Sequence, residues 1–257
     1  MNLDGIPVII KYENGNKILA VLKEGQSLNT HYGTVNYDDV TKLPIEMTTS
    51  TKELISIYEP TYSEFVLHMK RGAQIIYPKD VASILLEGNI WQGSKVLEFG
   101  SGSGALTLAL SLTIGDKGYL YSIDRNKDNQ RRAIKTIERY MTSKYDFSKN
   151  VIFVNKDIDD LKPEDIPEDL THIITDVPEP WKILDRIKIN KSIRWISYLP
   201  NITQVQSMNE KLVKFGLDNI TTKEIIEREW KVDGNVVRPV QNITGHTGFL
   251  IFADFLY

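Results

Sequence analysis

Four acidic side chains at or near the ends of apolar, strand-like runs carry the strongest chemical signal in this 257-residue sequence. Glu98 lies two residues before the loop Gly100-Ser101-Gly102-Ser103-Gly104-Ala105, which separates a buried strand from a helix. Asp124 closes the next apolar run, Asp157 follows the third, and Asp176 closes the fourth. Glycines between a strand and a helix let the backbone turn sharply and approach a ligand closely. Gly100-x-Gly102-x-x-Ala105 also fits the dinucleotide fingerprint, and Asp124 stands where an acid binds ribose hydroxyls in several nucleotide sites. Taken alone, the loop does not separate a nicotinamide dinucleotide from S-adenosylmethionine.

Glu98 separates them. A carboxylate two residues before the first glycine is suited to an ammonium group, held directly or through water, and would repel a pyrophosphate. Asp157 is placed to accept from an adenine amino group, with Ile158 against the ring. Acids at successive strand ends therefore fit S-adenosylmethionine, a cationic sulfonium carrying a ribose and an adenine. Each of Asp124 and Asp157 has an ordinary alternative as a helix or turn cap. Asp176 opens Asp176-Val177-Pro178-Glu179-Pro180-Trp181, where two prolines stiffen the backbone and favour extended conformations before them. Held beside a transferable methyl, Asp176 could accept from the exocyclic amine of an adenine, and that bond strengthens as positive charge develops on the base. Its ordinary alternative is a strand-end turn residue. Trp181 fits base stacking and a core position equally well.

The elements that must hold these residues alternate in type. Apolar runs at 96–99, 119–123, 151–154, 172–175 and 193–199 read as strands, and 106–113, 126–141 and 201–215 read as helices. Such alternation predicts a mostly parallel sheet with helices on both faces. Residues 62–69 and 79–86, the latter opened by Pro78, are also helical in pattern. The C-terminal part departs from the alternation: 220–232 and 248–257 read as two long strands joined by a loop over 233–247, an antiparallel hairpin closing the sheet. Before all of this, 8–12 and 18–22 flank Asn14-Gly15, a hairpin signal. The expected organisation is a small β domain over 1–58 and a larger Rossmann-like α/β domain over 59–257.

Composition is that of an ordinary soluble protein, with 41% hydrophobic and 25% charged residues. No apolar run is long enough to cross a bilayer, and the start lacks the regions of a signal peptide, so a cytoplasmic location is expected. Cysteine is absent and the four histidines are scattered, which excludes thiolate chemistry and predicts no metal site. The net charge of −3 does not advertise nucleic-acid binding, although a local basic face can exist on an acidic chain. Lys182, Arg186, Lys188, Lys191 and Arg194 form one such cluster, with part of it expected to face a nucleic acid.

Several further stretches carry a resemblance. Gln74-Ile75-Ile76-Tyr77-Pro78-Lys79-Asp80, the glycine loop with Glu98, the Asp176–Trp181 segment, Tyr198-Leu199-Pro200-Asn201-Ile202-Thr203-Gln204-Val205, Arg238-Pro239 and Gly245-His246-Thr247-Gly248-Phe249-Leu250 occur in this order. With them the chain resembles the tRNA (adenine-58-N1)-methyltransferases, especially the archaeal type, over nearly its whole length. The resemblance implies a class I methyltransferase fold, S-adenosylmethionine as donor, 1-methyladenosine in the tRNA T-loop at position 58 (with 57 left open), and a homotetramer. It also implies that Asp176 is the catalytic aspartate and Tyr77 an active-site tyrosine. Asp124 stands where a glutamate is common in the family. If the loop before the last strand returns on the ligand side, Arg238 becomes a candidate phosphate contact and His246 either a substrate contact or a satisfied structural histidine. Three rival readings are another class I enzyme such as a protein isoaspartyl methyltransferase, a non-catalytic tRNA-binding subunit, and a nicotinamide-linked oxidoreductase. The Asp176–Trp181 segment counts against the first, the intact glycine loop and acid against the second, and Glu98 with the terminal hairpin against the third.

Overall fold

The computed structural model describes residues 3–70, 72, 74–141, 149–189 and 191–256. The N-terminal part consists of β1 (Pro7–Tyr12), β2 (Lys17–Val21), β3 (Ser27–Thr30), β4 (Gly33–Asn36), β5 (Ile45–Thr48) and β6 (Leu54–Tyr58). Four of these form an antiparallel sheet in the order β2-β1-β6-β5, and β3 pairs with β4 as a separate ribbon. Val8, Ile10, Tyr12, Ile55 and Ile57 fill a core of their own beneath them. The β1–β2 turn contains Gly15 at φ 87°, a left-handed conformation that glycine adopts without steric cost.

Two helices follow. The first, α1 (Tyr62–His68), is closed at its N-terminus by a capping box between Thr61 and Glu64. Glu64 also accepts from Lys17 at 2.6 Å and from Tyr58 at 2.9 Å, which ties the helix to β2 and β6. The second, α2 (Pro78–Glu87), starts with Pro78 in its first turn and Tyr77 as its N-cap residue.

The alternating part of the chain contains β7 (Lys95–Phe99), α3 (Ala105–Ile114), β8 (Tyr119–Asp124), α4 (Lys127–Met141), β9 (Val151–Asn155), β10 (His172–Thr175), α5 (Trp181–Leu184), β11 (Ile193–Leu199) and α6 (Ile202–Phe215). The last strands are β12 (Asp218–Glu224), β13 (Trp230–Asp233), β14 (Val236–Pro239) and β15 (Phe249–Phe255). Seven strands form one sheet in the order β12-β15-β11-β10-β7-β8-β9. Neighbours from β11 to β9 are parallel, whereas β15 runs antiparallel to both β11 and β12. This is the Rossmann-like sheet closed by an antiparallel C-terminal pair that the strand pattern predicts.

The central strands β10 and β11 are almost wholly buried, as continuous apolar runs covered on both faces should be. Helix α3 is apolar on nearly all sides and buried through most of its length, while α4 buries Ala133, Ile137 and Met141 and turns its charged side outward. All five parallel strands end on the same edge, so residues at their carboxyl ends converge there.

The structure corrects one element. Residues 220–232 do not form a single strand: β12 stops at Glu224, and Trp230–Asp233 instead pairs with Val236–Pro239 across Gly234-Asn235. Gly234 is left-handed at φ 54°, which lets the chain reverse within what the pattern reads as a loop over 233–247. Both faces of this ribbon are exposed, so no apolar alternation marks its register. The last residue of the expected 248–257 strand, Tyr257, lies outside the described residues.

Candidate active site

The glycine loop passes from β7 to α3 with Gly100, Gly102 and Gly104 all at positive φ, 97°, 51° and 81°. Their surroundings differ. A β-carbon on Gly100 would lie 2.3 Å from the carbonyl oxygen of Asp176, and one on Gly104 would lie 2.5 Å from the α-carbon of Ala133. Gly102 has nothing within 4 Å in that direction. The loop is thus pressed against the end of β10 on one side and α4 on the other, while its middle presents bare backbone to the cleft.

That cleft, about 330 Å3 in volume, lies along the carboxyl edge and is lined by Gly100, Gly102, Asp124, Asp157, Ile158 and Asp176, among others. Six of the sequence-predicted residues therefore meet in one wall. Asp124 accepts from the amides of Gly102 (3.2 Å) and Asn126 (2.8 Å) and from the Asn129 side chain (3.2 Å), which holds the loop and the start of α4 together. Asp157 caps a short 3-10 turn by accepting from the Asp159 amide at 3.1 Å, and Arg125 stands 3.6 Å away. It is at once a cap and a cleft residue.

Asp176 is half-buried, and among the described residues no side chain or amide donates to its carboxylate. Burial pushes its pKa up to about 7, with the charge of Asp124 adding to the effect. Glu98 is wholly buried beneath the loop. Both of its oxygens accept from Thr107, at 3.1 and 2.9 Å, and one also accepts from Ser122 at 2.5 Å. Burial raises its pKa to about 8 against the lowering effect of these hydrogen bonds, and Asp176 and Asp124 raise it further. A cation in the cleft would relieve the mutual repulsion of these carboxylates.

The structure corrects the direct form of several expectations. Glu98 does not line the cleft, so a direct contact with a ligand ammonium is not available in this geometry. Ser101 joins Ser122 at 2.7 Å under the loop, and Ser103 accepts the Ala105 amide at 3.3 Å. Together with Gly104 and Ala105, these serines shape the turn from behind. Trp181 is partly buried against the core cluster that holds Ile183 and Leu184, and it does not line the cleft.

His246 contacts Glu224 at 2.6 Å through Nδ1 and the Pro200 carbonyl at 2.9 Å through Nε2. Glu224 and then that carbonyl hold its imidazole pKa above the usual value. Both ring nitrogens therefore have partners, while the side chain stays exposed. Arg238 is exposed on β14, does not line the cleft, and stands opposite Lys231 in the ribbon. The basic cluster is largely neutralised: Lys182 pairs with Glu179, Arg186 faces Asp159 at 3.9 Å, and Arg194 is held by Asp254. Lys188 and Lys191 lie together on a separate surface cavity.

Tyr77 lines a second cavity, of about 520 Å3, with Ser63, Leu67, Glu227, Asn242 and Thr244. Sequence reasoning missed the groups that brace the site. Gln204 donates to the Pro178 carbonyl at 2.9 Å, and Asn201 donates to Gln204 at 3.1 Å, so the first turn of α6 fastens the Asp176–Trp181 segment. Asn126, Asn129 and Lys156 also line the cleft. The amide of Asn129, one turn into α4 and five residues past Asp124, was the signal that could have been followed. Among the described residues no group of three His, Cys, Asp or Glu side chains could hold a metal ion, and no helix is long and apolar enough to cross a membrane.

Comparison with known proteins identifies the family and the fold. The family described as tRNA methyltransferase complex GCD14 subunit matches residues 53–236. The tRNA (adenine(58)-N(1))-methyltransferase TrmI of Thermus thermophilus is 31% identical over 95% of both chains. The tRNA (adenine(57)-N(1)/adenine(58)-N(1))-methyltransferase TrmI of Methanocaldococcus jannaschii is 31% identical over 94% of this chain and 92% of its own. Among solved structures, tRNA (m1A58) methyltransferase TrmI from Aquifex aeolicus superposes with a TM-score of 0.81 at 29% identity, covering 100% of this chain and 99% of that one. A SAM-dependent O-methyltransferase from Thermotoga maritima superposes with a TM-score of 0.89 at 25% identity, covering 100% and 95%.

Proposed function

Because the chain belongs to the family of the tRNA methyltransferase complex GCD14 subunit, we propose that it is an S-adenosylmethionine-dependent enzyme that methylates N1 of a T-loop adenine in tRNA, at position 58, with 57 left open. The observation that carries the reading is Asp176, a carboxylate without a hydrogen-bond donor among the described residues, in the same cleft wall as Gly102, Asp124 and Asp157.

The cleft residues fit the donor. Gly102 offers open backbone, Asp124 suits ribose hydroxyls, and Asp157 with Ile158 suits an adenine. Gly100, Ser101, Ser103, Gly104 and Ala105 shape the turn, and a bound cation favours the ionised forms of Glu98 and Asp176. When bound, S-adenosylmethionine supplies an electrophilic methyl group on its sulfonium. Asp176 accepts from the exocyclic amine of the target adenine and so orients N1. Methylation at N1 leaves the base cationic, and an ionised Asp176 stabilises that charge as it develops. Tyr77, at the N-terminus of α2, helps position the base. Reaching N1 requires the adenine to leave its stack, at a cost of a few kcal/mol.

Arg238 on the exposed ribbon is assigned to a phosphate of tRNA. Assembly is proposed as a homotetramer in the cytoplasm, supported by the exposed Trp230, Val232, Val236 and Val237 of the same ribbon, an apolar surface suited to burial between copies.

Asp176→Ala tests the assignment. Transfer to tRNA is expected to fall on the order of 10²–10³-fold or more, with S-adenosylmethionine still binding in calorimetry. Near-wild-type turnover would refute it. Product analysis also distinguishes 1-methyladenosine from the methylated hydroxyl that an O-methyltransferase would leave.

A further inference from the structure

Lys79 and Thr247, 168 residues apart in sequence, share a hydrogen bond of 2.6 Å. Between them Asp80 is fully buried, accepting from Lys79 at 2.8 Å on one oxygen and from the Thr247 hydroxyl at 2.7 Å on the other. The Thr247 hydroxyl therefore accepts from an ammonium and donates to a carboxylate, completing a closed triad at the first turn of α2, directly after Tyr77. Its carbonyl makes a second tie, accepting from the Tyr198 hydroxyl at 2.5 Å at the end of β11. Gly248 then passes so close to Tyr198 that a β-carbon would lie 2.5 Å from the ring. Burial, and then the charge of Asp80, keep Tyr198 protonated, with Asp176 and Tyr77 near enough to add to the shift.

One residue thus ties the Tyr198 hydroxyl to the first turn of α2, the helix whose N-cap residue is Tyr77. A buried ion pair is a poor source of net stability, because desolvation offsets most of its attraction; what it can supply is a unique geometry. Neither Lys79 nor Asp80 lines the cleft that holds Asp176, although Lys79 lines the cavity of Tyr77.

We propose that Thr247 is a positioning residue for methyl transfer, using the buried Lys79–Asp80 pair and Tyr198 to hold the acceptor side of the site in register with Asp176; the proposal rests on the functional reading above. It acts through other residues and touches no reacting atom.

The test compares Thr247→Val, which keeps the shape and removes the hydroxyl, with Thr247→Ser, which keeps the hydroxyl. A third variant, Lys79→Met with Asp80→Leu, replaces the ion pair by apolar side chains of similar volume and leaves no lone buried charge. Thr247→Val and the double variant are expected to lose on the order of 10²-fold in kcat on tRNA, the scale of an ångström-level misplacement. Their Kd for S-adenosylmethionine should stay within about twofold of wild type by that account, and Thr247→Ser should recover most of the rate. Hydrogen exchange supplies a readout independent of turnover: in Thr247→Val, segments 76–81 and 198–200 should open together while the glycine loop keeps its protection.

Equal kcat in Thr247→Val and Thr247→Ser would overturn the proposal. So would a loss of rate matched by an equal loss of cofactor affinity, and so would exchange that changes in only one of the two segments. A wild-type chain that transfers no methyl to tRNA would defeat the functional reading, and the exchange comparison would then still decide the positioning claim.

Discussion

Asp176 and Glu98 are acids that the fold keeps partly protonated, Asp176 at about 7 and Glu98 at about 8. Both values lie above those of an unfolded chain, about 4. Their contribution to stability is therefore fully present below about pH 4 and is lost as pH rises through about 7 and 8. A cationic ligand favours the ionised forms, so affinity for S-adenosylmethionine should rise across pH 6 to 8, with protons released on binding. Calorimetry in buffers of different ionisation enthalpy measures that release directly. Binding that neither releases a proton nor strengthens over this window would contradict the electrostatic account. At this scale the sequence was largely readable for Asp124, Asp157, Ile158 and Asp176, because strand-end position converts directly into a place in the cleft. It was less readable for Glu98 and Trp181. Their types suit a ligand, but the side a residue faces at the end of a strand depends on neighbours such as Thr107 and Ser122 that no local pattern reveals.

Among the elements, the glycine loop separates two functions that the sequence presents as one motif. Gly100 has no room for a β-carbon because the Asp176 carbonyl is 2.3 Å from where it would sit, whereas Gly102 faces open space. Gly100→Ala should lower the melting temperature sharply, since backbone must move and φ 97° is strained for any L residue. Gly102→Ala should cost only roughly 1–2 kcal/mol of stability, the penalty of a left-handed residue, yet weaken cofactor binding by intruding on the cleft. Thermal melts with cofactor titrations check both, and equal effects on stability would show that the two positions are not distinguished. The parallel strands and helices were legible because burial imposes their periods. The β13–β14 ribbon was not, because an element exposed on both faces carries no such period and was betrayed only by Gly234-Asn235. The ties from Gln204 to Pro178 and from Thr247 to Asp80 were equally hidden, since they join stretches distant in sequence.

Over the whole molecule, a net charge of −3 leaves tRNA binding to local surfaces. Most of the basic cluster after Trp181 is engaged in internal ion pairs, and Lys188 and Lys191 remain as the members not held in one of them among the described residues. Replacing both with glutamine should weaken tRNA binding and reduce the slope of log affinity against log salt by up to about 2, near one for each phosphate no longer neutralised. An unchanged slope would remove this face from the interface. The central claim, methylation of a T-loop adenine, is tested most directly by transfer from labelled S-adenosylmethionine to two tRNA transcripts, one natural and one with the adenine at position 58 replaced. Label recovered as 1-methyladenosine on the natural transcript and lost from the replaced one is the predicted result, and equal label on the two transcripts would move the site away from position 58. Label absent from both, or recovered at a ribose hydroxyl, would contradict it.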